Sequence, residues 1–205
     1  MFHRSDIRDY HICVRCSLIF VPPRFFLSRD EEVARYLEHE NSLESEGYVN
    51  MFREKIDVVA DVCPQVKSAL DYGCGYEPVL TTLLSRAGYE AIGYDVNFFP
   101  ERGLDSTYDL VISTETFEHF KEPGKEISTI RKLLAPAGYL AVMTKRYPEM
   151  DGKPDLPGFK KWYYQRDPTH ICFYSAKTFA WIARANGFKL LYDNGKDFII
   201  LQTST

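Results

Sequence analysis

The sequence lacks any apolar run that approaches the roughly 20 residues needed to span a bilayer. Its first residues, MFHRSDIRDYH, are polar and do not contain the apolar core of a signal peptide. The five cysteines are an odd number without regular spacing, which argues against a disulfide framework. We therefore expect a cytoplasmic protein with reduced thiols and no membrane partner.

The sequence also lacks an excess of positive charge, since it has 25 Lys and Arg but 29 Asp and Glu, for a net charge of −4. Proteins that bind nucleic acid usually carry a basic surface, because neutralisation of phosphates supplies much of their affinity. Nucleic acid is therefore a disfavoured partner. The 205 residues suffice for one well-filled domain with a short extension, and the composition does not indicate an oligomeric state.

The first 44 residues have a pattern of their own. Cys13-Val-Arg-Cys16, followed by Leu-Ile-Phe-Val-Pro-Pro, resembles the second half of a zinc ribbon. A structural zinc needs four ligands, and a first cysteine pair is missing. His3 and His11 are the alternative ligands, although His11 is cramped against Cys13. We predict no metal site here and interpret residues 1–44 as an extension with a degenerate hairpin.

Ser28, with a glutamate three residues later, predicts a capped helix that runs to about Glu40. Beyond it, strands and helices alternate, and residues 45–205 are predicted to form the main domain. Strands are predicted over 68–72, 91–94, 108–113 and 139–144, and helices over 48–62, 78–87, 122–134 and 175–185. Two last strands, 189–192 and 198–203, flank Asp193-Asn-Gly195, a hairpin turn.

This alternation predicts an α/β fold: a Rossmann-like, doubly wound, mostly parallel sheet between two helical layers, with an antiparallel C-terminal hairpin. In such sheets, ligands bind beyond the carboxyl ends of the strands. The loop Asp71-Tyr-Gly-Cys-Gly75 follows the first of these strands. Its glycines allow a sharp turn and a close approach to a ligand, and Asp95, 24 residues after Asp71, lies where such folds bind ribose hydroxyls.

The acid that precedes the glycines discriminates between cofactors. A dinucleotide would place its pyrophosphate over this loop, where Asp71 would repel it, and Pro78 replaces the third glycine of the dinucleotide fingerprint. S-adenosylmethionine instead carries a positive α-amino group and a positive sulfonium, which suit a carboxylate. The loop therefore favours S-adenosylmethionine, with S-adenosylhomocysteine as the product.

Several ordered motifs together resemble the class I S-adenosylmethionine-dependent methyltransferases, in particular their small-molecule branch. Motif I matches Asp71–Gly75, and the fourth strand with its acid–histidine turn matches Tyr108-Asp-Leu-Val-Ile-Ser-Thr-Glu-Thr-Phe-Glu-His119. The entry to the fifth strand matches Leu133-Leu-Ala-Pro-Ala-Gly-Tyr-Leu140, and a later stretch matches Arg166-Asp-Pro-Thr-His-Ile-Cys-Phe-Tyr174. The resemblance covers roughly residues 45–205.

The resemblance implies a role for each matching position. Gly73 and Gly75 would lie behind the methionine moiety, and Asp71 would hold its amino group through water. Asp95 would bind the ribose, and Thr114 with Glu115 would lie near the sulfonium. The cofactor-binding residues predicted in this way are Tyr48, Asp71, Gly73, Cys74, Gly75, Asp95, Val96, Thr114 and Glu115. Tyr48 would close the site from the N-terminal side, together with residues 39–41.

One interval departs from the family pattern. Only 13 residues separate Asp95 from Asp109, where a helix, a strand and an acid that contacts adenine are usual. A turn and at most a short strand fit there. Asp105 is one candidate partner for adenine, and Phe98 with Phe99 either flank the adenine or pack under the sheet edge.

His119 and His170 are the predicted catalytic bases, since an imidazole is suited to accept a proton near neutral pH. Alternatively, His119 caps the following helix or bonds to Glu118, which itself either orients His119 or is solvated. The rings between 146 and 174 either form an acceptor lid or only pack the loop onto the domain: Tyr147, Phe159, Trp162, Tyr163, Tyr164, Phe173 and Tyr174.

The sequence does not identify the methyl acceptor. The fourth strand is not followed by the Asn/Asp-Pro-Pro-Tyr/Phe tetrapeptide of enzymes that methylate exocyclic base amines. We therefore predict methyl transfer to a small molecule at oxygen. The alternatives are a protein or RNA methyltransferase, a non-catalytic module with the same fold, and a nicotinamide-dependent enzyme, which Asp71 and Pro78 disfavour.

Overall fold

The computed structural model of the chain describes residues 1–5, 8–38 and 42–204. The strands in this part are β1 (His3–Arg4), β2 (Asp9–Ile12), β3 (Ile19–Phe20), β4 (Ser68–Tyr72), β5 (Glu90–Tyr94), β6 (Tyr108–Thr114), β7 (Leu134–Met143), β8 (Glu149–Met150), β9 (Lys153–Pro154), β10 (Cys172–Phe173), β11 (Phe188–Asp193) and β12 (Phe198–Thr203). The helices are α1 (Arg29–Tyr36), α2 (Glu46–Val62), α3 (Val79–Arg86), α4 (Pro123–Lys132), α5 (Leu156–Lys161) and α6 (Ala176–Ala185). Within the described residues, every helix is too short or too polar to cross a membrane.

The main sheet has six strands in the order β11-β12-β7-β6-β4-β5. The central pairs β4–β5, β4–β6 and β6–β7 are parallel, whereas β12 is antiparallel to both β7 and β11. The predicted mostly parallel sheet with an antiparallel C-terminal hairpin is thus confirmed. Because β4, β5, β6 and β7 run in the same direction, the segments that follow them meet at one edge of the sheet.

Helices cover both faces of the sheet, as predicted for three layers. Helices α2 and α3 pack on one face, with Phe52, Val59 and Leu84 against Leu110 and Ile112. Helices α4 and α6 pack on the other face. Their apolar side chains share a second core with the N-terminal strands, which includes Tyr10, Val111, Ile130, Leu140, Phe179 and Ile182. Burial of these side chains, at about 1.5–3 kcal/mol each, is the main favourable contribution to stability.

The short interval after Asp95 leaves β5 as an edge strand of the sheet. Residues 96–107 form turns, with one isolated bridge between Asp95 and Phe99. The prediction that this interval has no room for a further helix is therefore confirmed.

Several boundaries differ from the predictions. The largest difference in the main sheet is that strand β7 begins at Leu134 rather than at 139, because residues 136–138 form a bulge, with Ala137 at φ 58°, in place of a break. The C-terminal hairpin turns through residues 194–197, which include Asn194 and Gly195 of the predicted turn. The side-chain oxygen of Asn194 accepts bonds from the backbone N–H groups of residues 196–198 and holds this loop.

The N-terminal segment begins α1 with the predicted capping box, since Ser28 and Glu31 each accept from the other's backbone N–H. The helix ends at Tyr36, earlier than predicted, and residues 39–41 lie outside the described part. Strands β2 and β3 form a hairpin, and β3 pairs with β10. The extension is thus paired through its backbone with the loop that follows β7.

Cys13 and Cys16 lie at the turn of this hairpin, whereas His11 is on β2 and His3 is on the preceding strand, β1. His3 stacks on Tyr10, and His11 lies opposite Phe20 in the strand pair. Neither histidine joins the cysteines in a group of three or more potential ligands among the described residues. Strand pairing and apolar packing hold the described part of the hairpin.

Candidate functional site

A cleft of about 750 Å³ opens at the carboxyl ends of β4, β5, β6 and β7. All eleven side chains or loop positions predicted as site residues line it: Tyr48, Asp71, Gly73, Cys74, Gly75, Asp95, Val96, Thr114, Glu115, His119 and His170. We call the part formed by Asp71, Gly73, Gly75 and Asp95 the glycine-loop end. The part formed by Glu118, His119 and His170 is called the histidine end.

The glycine loop makes its turn with two residues of positive φ, Gly73 at 90° and Gly75 at 70°. A Cβ atom on Gly73 would overlap the side chain of Thr116, so this position has no room for any other residue. A Cβ atom on Gly75 would meet no protein atom within 4 Å. Since Gly75 lines the cleft, its missing side chain leaves room for a ligand to approach the backbone.

Asp71 is 1% exposed and lies at the end of β4. Its Oδ2 accepts a bond of 2.8 Å from the Thr81 hydroxyl on α3, whereas its Oδ1 has no partner among the described residues. Burial raises the pKa of Asp71 to about 7. A buried carboxylate oxygen without a partner is costly, so this atom is prepared to accept a bond from a ligand donor.

Asp95 organises the loop opposite. Its Oδ1 accepts bonds from the backbone N–H groups of Asn97 (2.8 Å) and Phe98 (3.2 Å). Its Oδ2 accepts a bond of 3.1 Å from the N–H of Gly75. The carboxylate therefore links the glycine loop to the turn after β5. Oδ1 thus accepts two bonds, whereas Oδ2 accepts one and keeps a second lone pair for a ligand hydroxyl.

Between the two ends, β6 finishes in Thr114, and Glu115 follows with a left-handed φ of 49°. Burial, followed by repulsion from Glu118, raises the pKa of the Glu115 carboxyl. Tyr48, on α2, forms the opposite wall, and its phenol lies close enough to Asp71 and Glu115 for both charges to raise its pKa, which burial raises most.

The two predicted bases lie side by side at the histidine end, with ring centroids 4.9 Å apart. The Nδ1 of His119 is 3.0 Å from the carbonyl oxygen of Thr169, and that of His170 is 2.7 Å from the carbonyl oxygen of Tyr164. His119 therefore neither caps α4 nor bonds to Glu118, contrary to both alternatives drawn from the sequence. Burial lowers the pKa of each imidazole, that of His170 to about 3.

Glu118 lies beneath these rings and is fully buried, so it is not the solvated residue that one alternative assumed. The Tyr164 hydroxyl donates to its Oε1, and its Oε2 has no partner among the described residues. Burial raises the pKa of the Glu118 carboxyl. The backbone fixes the histidine end as well, since the N–H of Ile171 donates to the carbonyl of Glu118.

Some predicted contacts are not made. Phe98 lines the cleft, but Phe99 lies under the Arg102 guanidinium, and Asp105 is exposed away from the cleft. None of the seven rings proposed for an acceptor lid is among the residues that line the cleft. Five of them are buried in the core instead: Tyr147, Phe159, Tyr164, Phe173 and Tyr174.

Helix α1 supplies lining residues that the sequence interpretation missed, namely Arg29, Glu32 and Tyr36. Arg29 bonds to Asn97, Glu32 pairs with Lys121, and the Tyr36 ring packs edge-on to His119 at 5.3 Å. The capping box predicts the helix, but no local pattern shows where it docks. Lys145, after β7, was missed for the same reason.

The fold has counterparts among known proteins. A family profile described as a methyltransferase domain matches residues 45–192. No curated protein sequence matches the chain at a significant level. Solved structures that resemble it have low sequence identity, so they bear on the fold alone.

Three of these structures illustrate the likeness. An O-methyltransferase family protein from Burkholderia thailandensis is 16% identical with a TM-score of 0.55, over 77% of this chain and 57% of that one. Magnesium protoporphyrin IX methyltransferase from Synechocystis, solved with bound S-adenosylhomocysteine, is 17% identical with a TM-score of 0.53, over 88% and 97%. A SAM-dependent methyltransferase from Archaeoglobus fulgidus is 15% identical with a TM-score of 0.55, over 76% and 94%.

Proposed function

This chain belongs to the class I S-adenosylmethionine-dependent methyltransferases, and from that premise we propose that it methylates a small-molecule acceptor at oxygen. The cofactor would lie at the glycine-loop end and the acceptor at the histidine end of the same cleft. The observation that carries the proposal is the unpartnered Oδ1 of Asp71, in the same cleft that His119 and His170 line.

The glycine-loop end suits a cationic amino acid moiety. The free Asp71 oxygen would accept a bond from the α-ammonium, directly or through water, and the open space at Gly75 would admit the cofactor against the backbone. The remaining lone pair on Oδ2 of Asp95, beside Val96, would accept from a ribose hydroxyl. Cys74 and Tyr48 would border the cofactor, with Thr114 and Glu115 near its sulfonium.

The histidine end suits a hydroxyl acceptor. Because both Nδ1 atoms face carbonyl oxygens, they carry the protons, and each Nε2 keeps a lone pair. The acceptor oxygen would attack the methyl carbon while the carbon–sulfur bond breaks and sulfur leaves as a neutral thioether. His119 would take the hydroxyl proton. His170, with a pKa of about 3, is the weaker base of the two.

The volume and charge of the cleft also favour a small acceptor. About 750 Å³ lies toward the upper part of the range of about 300–1,000 Å³ for small-molecule sites, enough for a cofactor beside a modest acceptor. Among the described residues, the lining holds six carboxyl groups and three basic side chains, Arg29, Lys121 and Lys145, so it is not the basic surface that a phosphate-rich polymer requires.

The first experiment is a calorimetric titration of the full chain with S-adenosylhomocysteine, with NAD in parallel. We expect one-to-one binding of the first and no binding of the second. Asp71→Asn should weaken S-adenosylhomocysteine binding, since it removes the charge opposite the ammonium, whereas the exposed Asp105→Asn should bind as the wild type does. If neither ligand binds, the non-catalytic alternative replaces this proposal.

Transfer is then tested with cofactor carrying a radiolabelled methyl group. Phenols, alcohols and carboxylic acids form one panel, and amines, peptides and short RNA form the other. Label in the oxygen panel alone is the expected result. Label in peptide or RNA would contradict the small-molecule assignment, and label in amines alone would contradict the choice of oxygen.

A further inference from the structure

The histidine end combines three side chains of a kind that metals bind. The potential ligand atoms of Glu118, His119 and His170 all lie within 4.8 Å of one another. Three equally spaced ligands at about 2.1 Å from one ion are at most about 3.6 Å apart. The three side chains therefore need to close by up to about 1.2 Å, which side-chain rotation can supply.

The free carboxylate oxygen of Glu118 points to a missing partner. Glu118 is fully buried, and Tyr164 satisfies only its Oε1. Buried polar atoms are rarely left without a partner, because the desolvation cost is then not recovered. A cation bound to Oε2 would recover it.

The two imidazoles are arranged as metal-binding histidines are. Each directs its Nδ1 to a backbone carbonyl oxygen, of Thr169 and of Tyr164, at 3.0 and 2.7 Å. This bond to a carbonyl oxygen fixes the tautomer and the ring orientation, and it leaves Nε2 as the ligand atom.

We propose that Glu118, His119 and His170 form a binding site for one divalent transition-metal ion, whose open coordination positions face the cleft and take the acceptor oxygen. The proposal rests on the proposed function and specifies its acceptor as a hydroxyl compound that can coordinate a metal. Two imidazoles with one carboxylate favour ions such as Mn²⁺, Fe²⁺, Co²⁺ or Zn²⁺.

The surrounding charges agree with a cation at this place. Glu115 lies beside Glu118, and the Tyr164 hydroxyl contacts both carboxylates. A divalent ion would offset the repulsion between these two neighbouring carboxylates. Lys145 donates to the phenol of Tyr163, and its charge also acts on Glu115.

A bound ion would change how the acceptor loses its proton. A divalent ion held by Glu118, His119 and His170 would lower the pKa of an acceptor hydroxyl beside it, so that the proton would pass to solvent. The oxygen–carbon bond forms as the carbon–sulfur bond breaks, and sulfur takes the electron pair. His119 and His170 would then hold the ion instead of accepting the proton, which suits the low basicity of His170.

The test is binding of Mn²⁺ to the metal-stripped full chain, followed by the loss of the electron paramagnetic resonance signal of free Mn²⁺. Mn²⁺ prefers nitrogen and oxygen ligands, which separates this site from Cys13 and Cys16. We expect one ion per chain. Glu118→Gln and His119→Ala should each weaken binding by at least about 10–100-fold. Cys13→Ser with Cys16→Ser, and separately His11→Ala, should leave it unchanged.

Titration with S-adenosylhomocysteine, without metal, serves as the measure of folding and of the proposed function. If the variants bind S-adenosylhomocysteine as the wild type does but have lost Mn²⁺, the site is assigned. If neither Mn²⁺ nor Zn²⁺ binds the Cys13→Ser/Cys16→Ser protein up to about 1 mM, or if the ligand variants keep their affinity, the metal proposal is wrong. Binding of Mn²⁺ without S-adenosylhomocysteine would instead contradict the proposed function and leave the metal site standing.

Discussion

The two ends of the cleft are built in different ways. The glycine-loop end takes Asp71, Gly73 and Gly75 from one loop and Asp95 from the next parallel strand, so neighbouring strands suffice to assemble it. The histidine end joins the turn after β6 to a loop some 50 residues later, where Thr169 and His170 lie, and Tyr36 of α1 covers it. A local motif can therefore define the first end, whereas only long-range packing defines the second.

The comparison predicts that damage to the histidine end abolishes transfer but spares cofactor binding. His119→Ala should lower turnover by about 10²–10⁴-fold, the usual contribution of a positioned base, and should change S-adenosylhomocysteine affinity by less than about threefold. The measurement is single-turnover methyl transfer beside calorimetry. His3→Ala, at a ring that stacks on Tyr10 far from the cleft, is the control. Equal losses of turnover and of S-adenosylhomocysteine affinity would mean that the two ends do not have separate roles.

Gly73→Ala tests the steric demand of the glycine-loop end. A left-handed alanine costs about 1–2 kcal/mol, and the overlap with Thr116 should add about 1–3 kcal/mol. Gly88→Ala has a similar φ, 96°, with open space around its Cβ, so it carries only the first cost. Chemical denaturation of both variants isolates the difference. Equal stabilities would show that Thr116 moves aside freely.

Asp95→Ala should weaken S-adenosylhomocysteine binding by about 1.5–3 kcal/mol, through loss of charge-assisted bonds to the ribose and of the anchor on the Gly75 N–H. Asp105→Ala, at an exposed position of the same interval, should leave the affinity unchanged. An effect at Asp105 but not at Asp95 would transfer the ribose or adenine role to the former.

The smallest expected effect is the release of a proton from Asp71 when S-adenosylhomocysteine binds. Because the pKa of Asp71 is raised to about 7, the folded free protein holds this proton at pH 6, and the α-ammonium of the ligand should expel it. Calorimetry at pH 6 in two buffers of different ionisation enthalpy should therefore show release of up to about one proton per S-adenosylhomocysteine bound. The release should shrink at pH 8 and vanish in Asp71→Asn. An unchanged release in that variant would assign the proton to another group.

The same raised pKa links Asp71 to stability. The unfolded carboxyl ionises near its ordinary value of about 3.9, whereas the folded one stays protonated to about 7. The contribution of Asp71 to stability is thus present at pH 4 and is lost as the pH rises through 7. The glycine-loop end therefore keeps a carboxyl available for a ligand at some cost in the stability of the free protein.

The fold was predictable because the pattern of strands and helices is local. The strand Ser68–Tyr72 was predicted to the residue, and the missing elements after Asp95 followed from the 13-residue interval. The early start of β7 was not predictable, because a bulge at Ala137 can continue a strand through residues that usually end one. Residue-level pattern does not distinguish these two outcomes.

The sequence predicts which residues line the cleft better than it predicts the contacts that those residues make. The eleven residues were named from motifs, but the burial of Glu118 and the carbonyl partners of the two histidines depend on how the 163–174 loop packs. The aromatic residues of that loop illustrate the limit. Composition alone could not decide whether the rings line a ligand site or fill a core, and most of them fill the core.

The pairing of β3 with β10 has a kinetic consequence. Phe20 and Cys172 are partners across 152 residues, and Arg8 reaches the carbonyl oxygens of Asp167 and Pro168 from the same N-terminal segment. Such distant contacts form late, because closing a long loop costs entropy before the contact stabilises anything. During synthesis, β10 must leave the ribosome before β3 can pair with it. The glycine-loop end of the cleft can therefore form before the histidine end does.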